Sequence, residues 1–306
     1  MNIIGHQKIL NLLDRSLKRD SISQAYLFAG PESVGKFTIA QEFAKSAING
    51  TDFISSVSRK RDEKSRPLLD LIIVEPEKEE KRGITKEKEI KIEQIRKARK
   101  NLLLFPFQRK YKVLIVDNAH RMNEASQNAL LKILEEPNST SVIILVTHDE
   151  SRILPTLKSR CQKILFSLVS EEKIKKGLEK KGMLVSNELI SLSLGRPGIA
   201  LTISDKREEF LLRQEALEQL QGLPAQSLNQ RLEMAEELSK NIVKTAKKLE
   251  LWIWITRLQG LKEFQRKEQS GQKNFSRAEL IEKSLSVLQQ TNANSRLVLE
   301  NLLINL

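Results

Sequence analysis

A glycine-rich segment, Gly30-Pro31-Glu32-Ser33-Val34-Gly35-Lys36, has the residue types and spacing of a phosphate-binding loop. Glycines at Gly30 and Gly35 let backbone N–H groups approach phosphate oxygens, and Lys36 reaches the terminal phosphates. The next residue is Phe37, although a magnesium-binding hydroxyl is expected there. Thr38 lies one residue further along a predicted helix, where a side chain has turned by about 100°. The sequence therefore predicts a degenerate nucleotide site that includes Thr38, which cannot simply substitute for the missing hydroxyl.

Two further polar residues end apolar runs and are predicted to face the same site. Asp117 follows the run 112–116, where an acidic residue can hold magnesium. Asn118 occupies the position where a hydrolytic site needs a glutamate, and an amide cannot accept a proton from water. Thr147 ends the run 142–147 and points to the same edge of a sheet. His120 is either a base or a packing residue, and we favour packing.

A third segment, Ser159-Arg160-Cys161, follows Pro155 and is predicted to follow the last strand of its domain. An arginine here is either a solvated surface residue or a group that acts outside its own chain. From the residues alone we favour the solvated surface residue.

Alternating strand and helix patterns must position these residues. Apolar runs at 24–29, 69–74, 112–117 and 142–147 alternate with helical patterns near 35–48, 88–103 and 123–135. Continuous Val/Ile/Leu runs favour a parallel sheet that is buried on both faces. Residues 1–166 are therefore predicted to form a doubly wound α/β domain with a parallel sheet, with an exposed, charged insertion at about 50–66. In the helix at 123–135, Asn123 is the expected N-cap and Pro137 the expected stop.

The strand patterns end near residue 166. Residues 167–204 predict a small helical domain, broken at Gly182 and at 195–198, and residues 205–306 predict an all-helical domain. The segment 249–255 is apolar nearly all round, which is typical of a buried helix.

Composition and charge narrow the classes of protein. The 306 residues are 40% hydrophobic and carry a net charge of +13, with a net +9 in residues 1–166. No apolar run approaches the roughly 18 residues of a membrane span, and no signal-peptide pattern is present, so we expect a cytoplasmic protein without a membrane partner. The single cysteine, Cys161, excludes an internal disulfide and a cysteine-based zinc module. The excess of positive charge fits a polyanionic partner or a solvated surface.

Taken together, these segments resemble the clamp-loader branch of the AAA+ ATPases. Ile4-Gly5-His6-Gln7 is similar to the box that packs near adenine, and the segment 128–137, NALLKILEEP, is highly specific to clamp-loader subunits. The segment 294–303 resembles the last helix of their collar. The resemblance implies a P-loop AAA+ domain, a small helical lid and an all-α collar for oligomerisation.

In that family the matching residues have known roles. By resemblance, Lys36 and Asp117 belong to the two nucleotide motifs, Thr147 is the polar sensor, and Arg160, flanked by Ser159 and Cys161, is an arginine finger acting in trans.

Three hydrolysis positions depart from the family: Phe37, Asn118, and Gly198, where motor subunits place a sensor arginine. Arg196 lies nearby and weakens the third departure. Such a chain is expected to complete a neighbour's ATPase site without hydrolysing ATP itself.

The implied role is that of a stator in a clamp loader. Its partners would be motor and delta subunits, a sliding clamp and, through the assembled complex, primed DNA. No cofactor is required: ATP and magnesium would bind weakly or not at all, no zinc is expected, and no metal site is predicted. The alternatives are an active ATPase motor of the same family and a non-enzymatic DNA-binding protein.

Overall fold

The apolar runs of the first half of the chain form parallel strands in the computed structural model, which describes residues 3–58, 68–81, 84–107, 110–135, 138–183, 185–266, 270–291 and 293–306. The chain divides into two units, Met1–Leu201 and Thr202–Leu306. The strands of the described residues are β1 (Ala25–Ala29), β2 (Leu71–Val74), β3 (Lys78–Lys81), β4 (Ile84–Glu87), β5 (Lys112–Val116), β6 (Ser141–Thr147) and β7 (Gln162–Leu165). Five of these described strands form one parallel sheet in the order β2-β5-β6-β1-β7.

Both faces of this sheet are buried, as the continuous apolar runs predict. Every residue of β1, β5 and β6 is buried. Successive residues alternate between two cores, so that Tyr26 and Phe28 lie in one core while Leu27 and Ala29 lie in the other. Packing on both faces therefore fixes the sheet, and residues at its carboxyl edge have defined positions.

Helices cover the two faces. The described helices of the first unit are α1 (Gln7–Lys18), α2 (Lys36–Asn49), α3 (Phe53–Ser58), α4 (Ile92–Leu102), α5 (Glu124–Glu135), α6 (Pro155–Lys158), α7 (Glu171–Glu179) and α8 (Asn187–Leu192), and α9 (Pro197–Asp205) runs into the second unit. Helices α1, α2 and α3 contribute to one core, whereas α4, α5 and α6 contribute to the other. This is the doubly wound α/β arrangement that the sequence predicts.

The structure confirms the predicted N-cap of α5, but the predicted end of this helix lies outside the described residues. Asn123 caps α5, since its Oδ1 accepts a hydrogen bond from Ser126 N at 2.9 Å. Glu136 and Pro137, the predicted end of that helix, lie outside the described residues.

Strand β7 corrects the predicted position of Arg160. The sequence analysis placed Arg160 after the last strand, but β7 follows it and pairs with β1 at the edge of the sheet. Three of the four residues in β7 are exposed, so its apolar signal is weak.

The predicted exposed insertion is wrong for its first part. Residues 53–58 form α3, and Phe53 and Val57, four residues apart on one helix face, are 1% and 6% exposed. Residues 59–67, which hold the rest of the predicted insertion, lie outside the described range.

The second unit is helical throughout its described residues. Its helices are α10 (Arg207–Gly222), α11 (Leu228–Ser239), α12 (Ile242–Gln265), α13 (Ser270–Gln290) and α14 (Ser295–Asn305). Trp252 of α12 is fully buried, and its Nε1 donates a hydrogen bond to Ala216 O of α10 at 2.7 Å. The prediction of a buried helix at 249–255 is confirmed. Within the described residues, no helix is long and apolar enough to cross a membrane.

Candidate functional site

The predicted nucleotide-site residues gather at the carboxyl edge of the parallel sheet. The phosphate-binding loop follows β1, Asp117 follows β5, and Thr147 ends β6. The register places Ala29 opposite Thr147 and Val116 opposite Leu145, so these strand ends lie at one level. This is the edge at which open α/β sheets bind their ligands.

The two loop glycines are needed for different reasons. Gly30 has φ 143°, and a Cβ there would lie only 2.2 Å from Phe166 O. Gly35, directly before α2, has φ 100°, which side chains rarely adopt, although the space around it is open. The loop therefore has the backbone shape that the motif predicts, and His6, directly before α1, contacts it through its Nε2, 3.1 Å from Val34 O.

Lys36 is folded back onto its own loop. Its side chain is buried, and Nζ donates hydrogen bonds to Gly30 O at 2.7 Å and to Pro31 O at 2.5 Å. Burial lowers the pKa of Lys36 to about 8, with the charges of Glu32 and Asp117 opposing that shift. Two of the three donors of the ammonium group are thus bound to carbonyls of the chain itself.

Asp117 is partly buried beside this lysine, and its neighbours are acidic. Burial raises the pKa of Asp117 to about 6, with smaller contributions from Glu75 and Glu87 in the same direction. Asn118, in a left-handed conformation with φ 49°, directs its Nδ2 at Glu87 Oε2, 3.3 Å away. The residue in the glutamate position of a hydrolytic site is therefore bound to a carboxylate on β4.

We expect Asp117→Asn to stabilise the protein at neutral pH. A carboxyl group whose folded pKa is raised to about 6 favours the folded state below about pH 4, and this contribution is lost as the pH rises through 6. At pH 7.5 the neutral amide should raise the free energy of unfolding by about 1–2 kcal/mol after allowance for partial exposure. Urea unfolding of both proteins at pH 4 and 7.5 measures the difference, which should shrink at pH 4. An equal difference at both pH values would contradict this account.

Thr147 has its hydroxyl engaged within its own turn. The hydroxyl donates to Asp149 O at 2.9 Å and accepts from Asp149 N at 3.1 Å, and His120 Nδ1 lies 3.4 Å away. His120 is buried against His148, with 4.0 Å between the ring centroids, and burial lowers the pKa of His120 to about 3. His120 is therefore neutral at pH 7, and its packed position agrees with the interpretation favoured from the sequence.

The start of α9 lies directly against the phosphate-binding loop. Gly198 N donates a hydrogen bond to Ser33 O at 2.8 Å, and a Cβ at Gly198 would come equally close to that oxygen. An arginine at this position would force the two segments apart. Arg196, two residues earlier, is buried, with 4% of its surface exposed.

The structure also shows which side chain stands in place of the missing hydroxyl next to Lys36. Phe37 packs against the core formed with α1, α2 and α3. Thr38 lies on the same first turn of α2 and is half-buried. An apolar ring thus occupies the sequence position that would approach magnesium.

Arg160 lies apart from this group, on the turn after α6. Its Nη1 donates to Thr156 O at 3.2 Å and its Nη2 to Glu135 Oε1 at 3.3 Å, while 40% of the side chain is exposed. Ser159 bonds to the same carbonyl at 3.0 Å. Cys161 is turned inward, and burial raises the pKa of its thiol to about 11.

One buried amide in this region was missed by the sequence analysis. Gln127 of α5 is 4% exposed; its Nε2 donates to Met122 O and Arg152 O, and its Oε1 accepts from Leu154 N at 2.8 Å. The side chain thereby ties α5 to the segment that leads into α6 and Arg160. Its position directly before the segment 128–137 was the available signal.

We expect Gln127→Glu to loosen this connection. The variant keeps the size of the side chain but places a carboxylate oxygen against two carbonyl groups, which should reduce the free energy of unfolding by about 1–3 kcal/mol. Asn128→Asp, an equivalent change at the exposed neighbour, is the control and should be nearly silent. Thermal and urea unfolding compare the two, and equal losses would show that charge alone is responsible.

The residues present do not fit a site for magnesium-assisted ATP hydrolysis in this chain. Phe37 offers no ligand at the magnesium position, and the amide of Asn118 cannot accept a proton from water. Within the described residues, no group of three or more His, Cys, Asp or Glu side chains is arranged to hold a metal ion.

Comparisons with known proteins identify relatives of this chain. A family model described as "DNA polymerase III, delta subunit" matches residues 5–170. The DNA polymerase III subunit gamma of Buchnera aphidicola (from Acyrthosiphon pisum) is 33% identical over 184 residues, which is 58% of this chain and 48% of that protein. The delta' subunit of Bacillus subtilis is 32% identical over 162 residues, or 52% and 46% of the two chains. This chain thus matches about half the length of these relatives.

A solved structure can also be aligned over most of the chain. It is a gamma-subunit-related protein of DNA polymerase III from Thermotoga maritima, with 21% identity, 96% of this chain and 97% of that chain covered, and a TM-score of 0.49. The family assignment rests on the family model, which covers more than half of this chain and includes the phosphate-binding loop, Asp117, Thr147 and Arg160. The chain therefore belongs to the DNA polymerase III delta-subunit family of clamp-loader proteins.

Proposed function

We propose that this chain is a stator subunit of the delta-prime type in the clamp loader of a DNA polymerase III holoenzyme. It would contribute to ATP hydrolysis by supplying Arg160 to the site of a neighbouring subunit. The observation that carries this proposal is a contrast within the chain: Phe37 and Asn118 stand where hydrolysis needs a hydroxyl and a glutamate, whereas 40% of the Arg160 side chain is exposed on the turn after α6.

The phosphate-binding loop supports a structural role for this site. An ammonium group that binds ATP needs its donors for phosphate oxygens, so Lys36 would have to exchange Gly30 O and Pro31 O for them. The hydrogen bond from Gly198 N to Ser33 O holds the start of α9 on the loop. The loop would then keep the first unit in one shape, as a stator requires.

Arg160 has the properties that a finger acting in trans needs. It lies on an exposed turn, its guanidinium stays charged, and its forked donors match phosphate oxygens. Charge that develops on a transferring phosphoryl group is stabilised by such a donor in a dry site. Since this chain's own site does not fit hydrolysis, Arg160 would serve a site formed with another subunit.

The proposed partners follow from this role. They are motor and delta subunits of the clamp loader, a sliding clamp and, through the complex, primed DNA. The net positive charge of residues 1–166 would add a salt-dependent attraction to DNA phosphates. The subunit would need neither ATP with magnesium nor zinc of its own.

A motor subunit of the same family is the second candidate. Relatives named gamma, tau or tau/gamma match this chain at 29–33% identity, and the loop keeps the motif's glycines and lysine. This candidate requires Lys36 to leave its carbonyl partners and Asn118 to replace a glutamate. A protein that only binds DNA is the third alternative, and it requires DNA affinity without partners.

Phosphate release by the isolated chain separates these candidates. We expect a rate far below 1 s⁻¹, the lower end of typical enzyme turnover, with or without primed DNA. Lys36→Ala is the matched control and should leave that low rate unchanged. A rate near or above 1 s⁻¹ that Lys36→Ala abolishes would establish the motor. ATPase assays on complexes that lack one subunit at a time then test whether this chain raises the rate of its neighbours.

A further inference from the structure

We propose that Glu135 is a positioning residue for Arg160, holding its guanidinium in the orientation that a neighbouring subunit's phosphate meets. This inference rests on the proposed role of Arg160 in trans. It deepens that role by naming the group that orients the finger.

The geometry that points to Glu135 is a pair of hydrogen bonds that the Arg160 guanidinium donates to two different acceptors. Thr156 O takes one hydrogen bond from Nη1 at 3.2 Å, and Glu135 Oε1 takes one from Nη2 at 3.3 Å. The first acceptor is a backbone carbonyl of α6, four residues before Arg160, whereas the second lies on α5, 25 residues away. Two contacts from different elements define the plane of the guanidinium, which one contact cannot do.

Among the described residues, these two contacts leave other donors of the guanidinium for a ligand. A guanidinium has five N–H groups, and these two contacts use one from each terminal nitrogen. The remaining three match the forked recognition of phosphate oxygens. Glu135 therefore need not leave when a phosphate binds, and the two anions can share one arginine.

Orientation matters because an arginine side chain has many rotamers. A free side chain must lose that freedom when it binds, whereas one that is already oriented loses less. Both partners are about half exposed, at 40% for Arg160 and 52% for Glu135. Exposed ion pairs are weak, so the expected advantage is a modest factor in rate.

The experiment uses Glu135→Gln in the reconstituted complex, with ATP turnover measured on primed DNA. The variant keeps the length of the side chain and one acceptor oxygen but loses the charge. We expect kcat to fall about two- to fivefold while KM for ATP stays constant. Glu135→Asp keeps the carboxylate, so its kcat should lie between those of the unmodified complex and of Glu135→Gln. Glu150→Gln is the matched control, because Glu150 forms an exposed ion pair with Lys163 at 2.6 Å and does not contact the finger.

The Arg160→Ala background completes the test. Glu135→Gln should have no further effect there, because its action passes through Arg160. The inference is overturned by an unchanged or raised kcat in Glu135→Gln, or by a loss that persists in the Arg160→Ala background. If Arg160→Ala itself leaves turnover unchanged, the proposed function fails and this inference fails with it. An active finger combined with a silent Glu135→Gln overturns the inference alone.

Discussion

Replacement of Arg160 by alanine should leave the subunit folded and assembled but almost silence the ATPase site that we propose it completes. A finger of this kind contributes about 10³–10⁵ to the rate in other phosphoryl-transfer systems. In the proposed ring, where several sites would act together, total turnover should fall only partly, and single-turnover hydrolysis at the adjoining site should show the full loss. Arg160→Lys should rescue poorly, because a lysine keeps the charge but lacks the fork.

Arg152→Ala is the matched control for this experiment. Arg152 is a second exposed arginine of the same unit, with 64% of its side chain exposed and an ion pair to Asp149 at 3.3 Å. Removal of its charge should change neither assembly nor turnover. Undiminished hydrolysis and clamp loading in Arg160→Ala would return Arg160 to the role of a solvated surface residue.

Trp252→Ala should be the most damaging single change in the second unit. The side chain is fully buried and donates to Ala216 O at 2.7 Å, so its removal leaves a large cavity and loses this hydrogen bond. Such truncations cost about 3–5 kcal/mol, a large share of the 5–15 kcal/mol that usually stabilises a domain. Loss of helical circular dichroism during urea unfolding measures the change. Assembly with the other subunits should fail at temperatures where this unit melts.

Trp254→Ala is the matched control, because it removes the same side chain from another position of α12. Trp254 lies two residues further along α12, on a different side of the helix, and is only half-buried. Its removal should lower the free energy of unfolding clearly less than removal of Trp252 does. Equal losses for the two variants would contradict the role given to Trp252 as the centre of this unit.

The fold was largely predictable because its central strands are continuous apolar runs. The runs that became β1, β5 and β6 are buried on both faces and carry a strong signal in the sequence. Strand β7 was missed because most of its residues are exposed, and the hairpin of β3 and β4 because its residues are mostly charged. Strand signals fade where burial is shallow.

The candidate site was predictable to a different extent. The phosphate-binding loop, Asp117 and Thr147 could be placed because each follows or ends a strand whose neighbours meet at one edge. The hydrogen bonds of Lys36 to its own loop could not be predicted, because they depend on side-chain rotamers rather than on residue type. The links of Gln127 and Glu135 to the Arg160 region join positions about 25 residues apart, which a pattern along the chain does not reveal.

The self-bonded loop has a consequence for how this subunit would respond to the energy state of a cell. A binding-competent loop must first release Lys36 from Gly30 O and Pro31 O. If the released form makes up about 1% of molecules, the apparent dissociation constant for any nucleotide rises about 100-fold. The subunit would then keep one shape as nucleotide levels vary, and the ring would contain a member whose geometry is set by the amino-acid sequence alone.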